Sequence, residues 1–343
     1  MNLPSLAQSL PVAALDAARG QILRRFSAWM RPFVRHRRLR VHTNAAILLV
    51  TCGLTSLAVP LLSVFLLPLV LGVPHLLSDV RYLGPSLPHW TALRRGGMVV
   101  VVGLIVTVGL FDVMWAGAAA VAATAILVRA PAWQRAGALA AGAALVAMSV
   151  WAEDALRLAL AHLHHAVALV VWWWMRPRRT VEWWFPLTAA AWTGALLGGA
   201  FDTPITELAI RAPTFGPGWG PVEQWVTPSW GAHAPWRFVV LYALGQSLHY
   251  GIWLRMIPDD ARPTETPRTF RSSLDQIEQE LGRPVLWLFG ALLISVMAWA
   301  LIDALGAWHA YMRLAVFHAW LELVVLVLLV GYRLPLASRR STV

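Results

Sequence analysis

The chain has 343 residues, of which 58% are hydrophobic and 13% charged, a balance that belongs to lipid and excludes an ordinary soluble domain. Its one cysteine, Cys52, excludes a disulfide framework and any cysteine-based zinc or iron–sulfur site, so a bound metal must be held by His, Asp or Glu. The formal charge of +11 is carried by arginine alone, and in a membrane chain an arginine excess reports topology before it reports nucleic acid; no nucleic-acid partner is expected.

Residues 1–43 read as a cytoplasmic, basic, amphipathic arm on anionic lipid. Their arginines follow the apolar residues instead of preceding them, which is not the order of a signal peptide. Ten apolar segments follow, at about 44–58, 61–83, 97–113, 115–129, 136–152, 155–175, 184–200, 236–257, 284–305 and 309–331. They predict an all-α, polytopic transmembrane helix bundle over 44–331, with a tail at 332–343. The third and fourth segments are short, and the competing reading is one long kinked helix. The Gly-, Pro- and Trp-rich segment 201–235 is an outer loop that dips back as a lid. The cytoplasmic loop 258–283 holds a short interfacial helix over 272–282, with Ser272 and Asp275 as its capping box and Leu274, Ile277 and Leu281 on one stripe. The 20 tryptophans include the clusters 172–174 and 183–184, read as a belt at the headgroups.

The arginines test the span count. With a cytoplasmic N-terminus, ten spans put 24 of the 28 arginines inside and leave only Arg157, Arg211, Arg237 and Arg313 outside. The distribution predicts a multi-pass protein of the cell inner membrane with both termini cytoplasmic. Its oligomeric state is not written in the sequence.

Within this topology His75, His164, His249 and His318 fall on the second, sixth, eighth and tenth spans. All four spans run from outside to inside, and at a rise of about 1.5 Å per residue the four side chains fall within roughly 8 Å of one another in depth. Parallel helices can converge them on one point. His162, His164 and His165 cannot all face inward, and His164 and His165 both stand as the ligand from that span. Imidazole suits iron, zinc or copper, and four imidazoles leave positions on iron open for oxygen. Asp79 and Glu322 lie four residues after His75 and His318, where a carboxylate can accept an imidazole N–H of its own or a neighbouring helix; Gln246, three before His249, can do the same. The remaining histidines, at 36, 42, 89, 233 and 309, fall in loops or at span ends and read as solvated.

No phosphate-binding Gly loop, nucleophile elbow or HExxH helix occurs, and the histidine spacing is not that of the three-box desaturases. The run Gly72-Val73-Pro74-His75-Leu76-Leu77-Ser78-Asp79 resembles the G-x-P-H-G-x-x-D motif of the Brp/Blh-type bacterial β-carotene 15,15′-dioxygenases, and Phe317-His318-Ala319-Trp320-Leu321-Glu322 resembles their late P-H-x-x-x-D motif. Leu76, Gly245, Phe317 and Glu322 depart from the family pattern, and His162 to His165 replace its second motif. The resemblance implies Fe(II) held by His75, His164 or His165, His249 and His318, and an oxygenase that uses O2 to cleave a lipid-soluble substrate, β-carotene, to retinal. Trp173, Trp320, Tyr250 and Trp253 are the candidate walls of its pocket. Two other classes remain beside it: a haem-binding membrane redox protein, and a non-enzymatic membrane subunit or transporter.

Overall fold

The computed structural model describes residues 5–83, 91–175, 183–205, 207, 219–228, 235–260 and 265–332. Most of those residues are helical, and each of the ten apolar segments is largely a helix. In chain order the α-helices are α1 (Leu10–Arg25), α2 (Ser27–Arg35), α3 (Arg37–Ala58), α4 (Pro60–Leu83), α5 (Ala92–Phe111), α6 (Met114–Leu127), α7 (Ala132–Trp151), α8 (Glu153–Met175), α9 (Trp184–Leu197), α10 (Asp202–Pro204), α11 (Trp219–Val226), α12 (Pro235–Gly251), α13 (Ile257–Asp260), α14 (Phe270–Leu281), α15 (Arg283–Ile302) and α16 (Ala304–Tyr332). A π-turn, Ile252–Met256, joins α12 to α13.

Five helices among the described residues are long and apolar enough to cross a membrane: Arg37–Ala58, Pro60–Arg81, Glu153–Trp173, Arg283–Ile302 and Ala304–Leu328. Arg95–Phe111 and Met114–Leu127 are shorter apolar helices. The outer faces fit lipid, with Val99, Leu110, Ile294, Leu301 and Ile302 exposed. This is a helical protein of membrane type.

Four helices form the centre. α4 and α8 each pack against both α12 and α16, so the four close into a ring. The register shows them running the same way. Ser63 and His75 on α4 meet Gln246 and His249 on α12, Val64 and His75 meet Trp308 and His318 on α16, and the last turn of α8 reaches α13 through Trp172 Nε1 and Asp260 Oδ2 at 2.7 Å. The remaining helices surround the ring, with α3 and α9 on the α12 side, α5 and α6 on the α16 side, and α15 across α4 and α16.

α5 and α6 are two antiparallel helices, which rules out a single kinked one. Gly97 at the start of α5 lies against Leu127 at the end of α6, and Asp112 turns the chain between them at φ 56°, an uncommon value for a residue with a side chain. The N-terminal boundary also shifts, because α3 begins at Arg37 and so takes in the last residues of the expected arm. The arm is docked on protein: Asp16 accepts the backbone N–H groups of Phe270 and Arg271 at 2.7 and 3.0 Å, and Ser5 Oγ donates to Glu278 at 2.7 Å. The cap of α14 is Thr269, not Ser272. Thr269 is the extended residue that precedes the helix, and its Oγ1 accepts the Ser272 N–H at 3.1 Å.

Most of the outer loop, the loop after α8 and the C-terminal tail lie outside the described residues, and the expected lid and the placement of the termini with them. His89 and His233 fall there too. His42 and His309 sit on helices: His42 stacks on Trp184 and accepts its indole N–H at 3.1 Å, and His309 packs edge-on to Trp308.

Candidate metal centre

Helical spacing alone puts one polar stripe on each central helix. Positions 72, 75 and 79 share a face of α4, 245 and 249 a face of α12, and 311, 315, 318 and 322 a face of α16. Close approach of these faces is set by glycine. A Cβ at Gly72 would stand 2.2 Å from the Tyr311 phenol, and one at Gly245 would stand 2.6 Å from His165 Nδ1. The backbone at Gly72 can therefore come within reach of α16 only without a side chain.

The result is a tight set of four buried donors, His75, His249, His318 and Glu322. His75 Nε2 is 2.8 Å from both His318 Nε2 and His249 Nε2, and the latter two are 3.4 Å apart. Glu322 Oε1 lies 3.0 Å from His249 Nε2, 3.6 Å from His318 Nε2 and 3.7 Å from His75 Nε2. Bonds of about 2.1 Å to one metal ion would separate neighbouring ligand atoms by roughly 3.0 Å in an octahedron and 3.4 Å in a tetrahedron, in the middle of the observed spread of 2.8 to 3.7 Å.

Charge and hydrogen bonding agree. Asp79 and Glu322 are both 0% exposed, and among the described residues neither pairs with an arginine. Two buried carboxylates are costly without a counter-charge, and a divalent cation supplies it. Hydrogen bonds alone cannot satisfy the imidazoles either, because His75 Nε2 has close nitrogens on two sides and carries at most one proton. The Trp253 indole lies beside the Glu322 carboxylate as a neutral donor and brings no counter-charge.

Ligation through Nε2 leaves each Nδ1 protonated and in need of an acceptor. His318 Nδ1 comes within 2.7 Å of Asp79 Oδ2, though off the ideal hydrogen-bond line, and His249 Nδ1 faces the His165 carbonyl at 3.4 Å. Asp79 thus serves the histidine of a neighbouring helix.

Three of the expected ligands, His75, His249 and His318, converge. α8 contributes differently. Neither His164 nor His165 belongs to the tight set, and Glu322, expected to stand behind a histidine, occupies the place instead. The reason is local: His164 Nδ1 is bonded to the Leu160 carbonyl of its own helix, while His165 turns its ring toward Tyr242 and offers its carbonyl to His249. The His164 ring still lies 5.3 Å from that of His249 and 5.8 Å from that of His318. His162 points elsewhere, with Nε2 2.8 Å from the Val226 carbonyl. Gln246 does not reach His249; its amide donates to the Ser63 carbonyl at 3.1 Å and ties α12 to α4.

Of the expected walls, Tyr250 and Trp253 lie against His75, at 5.3 and 5.7 Å between ring centroids. Trp320 packs instead on Gly117 of α6, and Trp173 on Trp183. Tyr311 was not singled out by the sequence; its hydroxyl meets that of Tyr250 at 3.2 Å. The π-turn that starts three residues after His249 carries Trp253 to this face, and such turns recur at functional sites.

A cavity of about 480 Å³, lined by Asp112, Asp154 and Arg157, also has His164 and Tyr242 in its wall, and the His164 ring separates it from the donors, 5.3 Å from that of His249. Ala161, Ala315 and Ala319 line it as well. No family model, curated protein or solved structure matches this chain.

Proposed function

We propose that the chain is a membrane-embedded, histidine-ligated non-haem iron oxygenase acting on a lipid-soluble substrate, and that β-carotene, cleaved with O2 to two molecules of retinal, is that substrate. The observation that carries the reading is the buried set of three imidazoles and one carboxylate beside a cavity. Mixed imidazole and carboxylate ligation with positions left open is the donor chemistry of non-haem iron oxygenases. Bound Fe(II) would supply the activation of O2.

The chain's own residues do the rest. Glu322 brings a negative charge that offsets part of the cation's, and Asp79 orients the His318 ring. His164, anchored through Nδ1, presents Nε2 beside the centre, where it can hold a proton or a hydrogen bond. The alanines of α8 and α16 leave room for a methyl-branched polyene beside His164 and Tyr242. The motifs around His75 and His318 support the carotenoid assignment, and a substrate that partitions into the bilayer suits a site inside a membrane-type bundle.

The arrangement disfavours haem at this place. Two axial imidazoles on opposite faces of a haem need about 4 Å between their nitrogens, with a macrocycle in the gap. Here the closest nitrogens are 2.8 Å apart and their rings 4.3 Å. The topology of ten spans with cytoplasmic termini is part of the same proposal, supported by the arginine distribution.

Expression in a β-carotene-accumulating bacterial host tests it. The wild-type chain should bleach the colour and produce retinal, and His75→Ala and His318→Ala should not. Persistent colour with the wild-type protein, despite verified iron loading, would exclude β-carotene.

A further inference from the structure

A second cavity, larger than the one beside His164, lies away from the metal centre. It encloses about 900 Å³ at the arginine-rich end of the bundle, between the N-terminal arm, α14 and the ends of α3, α4 and α15, and none of the four metal-centre donors lines it. Its charge is one-sided. Arg19, Arg40, Arg81, Arg255 and Arg268 line it, against a single carboxylate, Asp259.

The arginines are not equivalent. Arg40 is buried and satisfied, with Nε and Nη2 on the two Asp259 oxygens at 2.8 and 2.9 Å and further bonds to the carbonyls of Phe33 and Glu265. Arg81 is held by Glu280 at 2.5 Å. Arg255 has no such carboxylate among the described residues, and the charges that act on it are those of Arg40 and Arg19. Arg19 neighbours Asp16, whose two oxygens already accept the N-terminal N–H groups of α14. Arg255 thus faces this space without a carboxylate among the described residues, and Arg19 faces it with only Asp16, whose oxygens are shared with α14. Guanidinium forks match the oxygens of a phosphate. The remaining walls are hydrocarbon: Ile47, Val73, Leu77, Leu254, Phe289 and Leu293.

We propose that this cavity is a binding site for an anionic amphiphile with a phosphate-type headgroup at Arg19 and Arg255 and a hydrocarbon chain along α4 and α15. The volume falls in the range of about 300–1,000 Å³ that holds a ligand of this size. A membrane phospholipid and a single-chain alkyl phosphate present the same chemistry. The site stands independently of the metal centre and of the reaction proposed there.

The test is a binding titration of the full chain in a neutral detergent, with and without metal, using dodecyl phosphate as probe. Dodecyl phosphate should bind saturably and raise the melting temperature, whereas inorganic phosphate and dodecylphosphocholine should not. Arg19→Gln combined with Arg255→Gln should weaken binding by about tenfold or more, each lost charge-assisted contact acting on affinity. Gly290→Leu provides a second variant that leaves the arginines intact. Gly290 lines the cavity and a Cβ there meets nothing within 4 Å, so the new side chain fills tail space and should weaken binding without a clash. Arg135→Gln, on an exposed face of α7, should change nothing. Displacement of the probe by phosphatidic acid would assign the site to a membrane lipid, and failure of displacement to a single-chain phosphate; both keep the anionic amphiphile. Equal binding of the zwitterionic probe, saturation by inorganic phosphate alone, or wild-type affinity in both variants would overturn the proposal. Because binding is read in the metal-free protein as well, such a failure leaves the iron reading untouched.

Discussion

Asp79→Asn isolates what the buried carboxylate behind His318 contributes. The substitution keeps the shape and an acceptor oxygen 2.7 Å from His318 Nδ1, and removes only the charge. With Asp79 fully buried, no solvent replaces that charge. A charge-assisted hydrogen bond is roughly twice as strong as a neutral one, and loss of an outer partner of a metal-binding histidine lowers metal affinity by about ten- to a hundredfold. That is about 1.4–2.8 kcal/mol. The assay is metal occupancy of purified protein, measured by mass spectrometry across a series of competing chelator concentrations. His318→Ala, which removes the ligand itself, should lose metal at every chelator concentration. Wild-type affinity in Asp79→Asn would show that Asp79 does not support the ligand, and unchanged metal in His318→Ala would refute the reasoning at its root.

Glu322→Gln should separate stability from binding: the metal-free protein should melt no lower than wild type, because the amide replaces a buried carboxyl group that has no counter-charge, while stabilisation by added Fe(II) should disappear. Thermal melts with and without metal check both halves. Gly117→Ala puts a Cβ 2.3 Å from the Trp320 indole and should destabilise the fold by about 1–3 kcal/mol, whereas Gly137→Ala, with nothing within 4 Å, should be stabilising by roughly 0.5–1 kcal/mol. The hydrogen bond from Arg237 holds the Asp202 carboxyl below its usual 3.8, so this pair stabilises the fold above that pH and is lost as pH falls through the lowered value. Asp202→Asn should remove that part of the acid dependence in a melt series from pH 5 downward. A reporter fused after Arg340 should read as cytoplasmic; a periplasmic signal would contradict the ten-span topology.

Much of this arrangement can be read from the chain. Apolar runs broken at Pro60, at Asp112 and at the Glu153-Asp154 pair mark the helices because lipid-facing and core-facing positions are both apolar, so length and interruption carry the signal. Parallel direction and matched depth bring His75, His249 and His318 together, since on regular helices depth follows residue number. What sequence could not decide is rotation about the helix axis. His164 and His165 are 100° apart on α8, and the choice between them and Glu322 is made by a hydrogen bond of His164 to its own backbone and by the Gly245 and Gly72 contacts that set how near the helices come. Glu322 shows the same ambiguity, because a carboxylate one turn after a histidine can stand behind that histidine or beside it. Gln246 was misplaced for a related reason: i and i+3 share a face, yet its amide finds the Ser63 carbonyl of α4. The arginine cavity was invisible because its cations come from α1, α3, α4, the π-turn and the segment before α14, which only the fold assembles.

The central claim is that His75, His249, His318 and Glu322 hold one metal ion. X-ray absorption on the purified wild-type protein, together with metal stoichiometry, tests it most directly. One iron per chain should be found, with a first shell of nitrogen and oxygen at about 2.0–2.2 Å and the imidazole scattering of about three histidines. A protein supplied with Fe(II) that retains no metal, or metal whose absorption spectrum is unchanged in His249→Ala and Glu322→Gln, would contradict it.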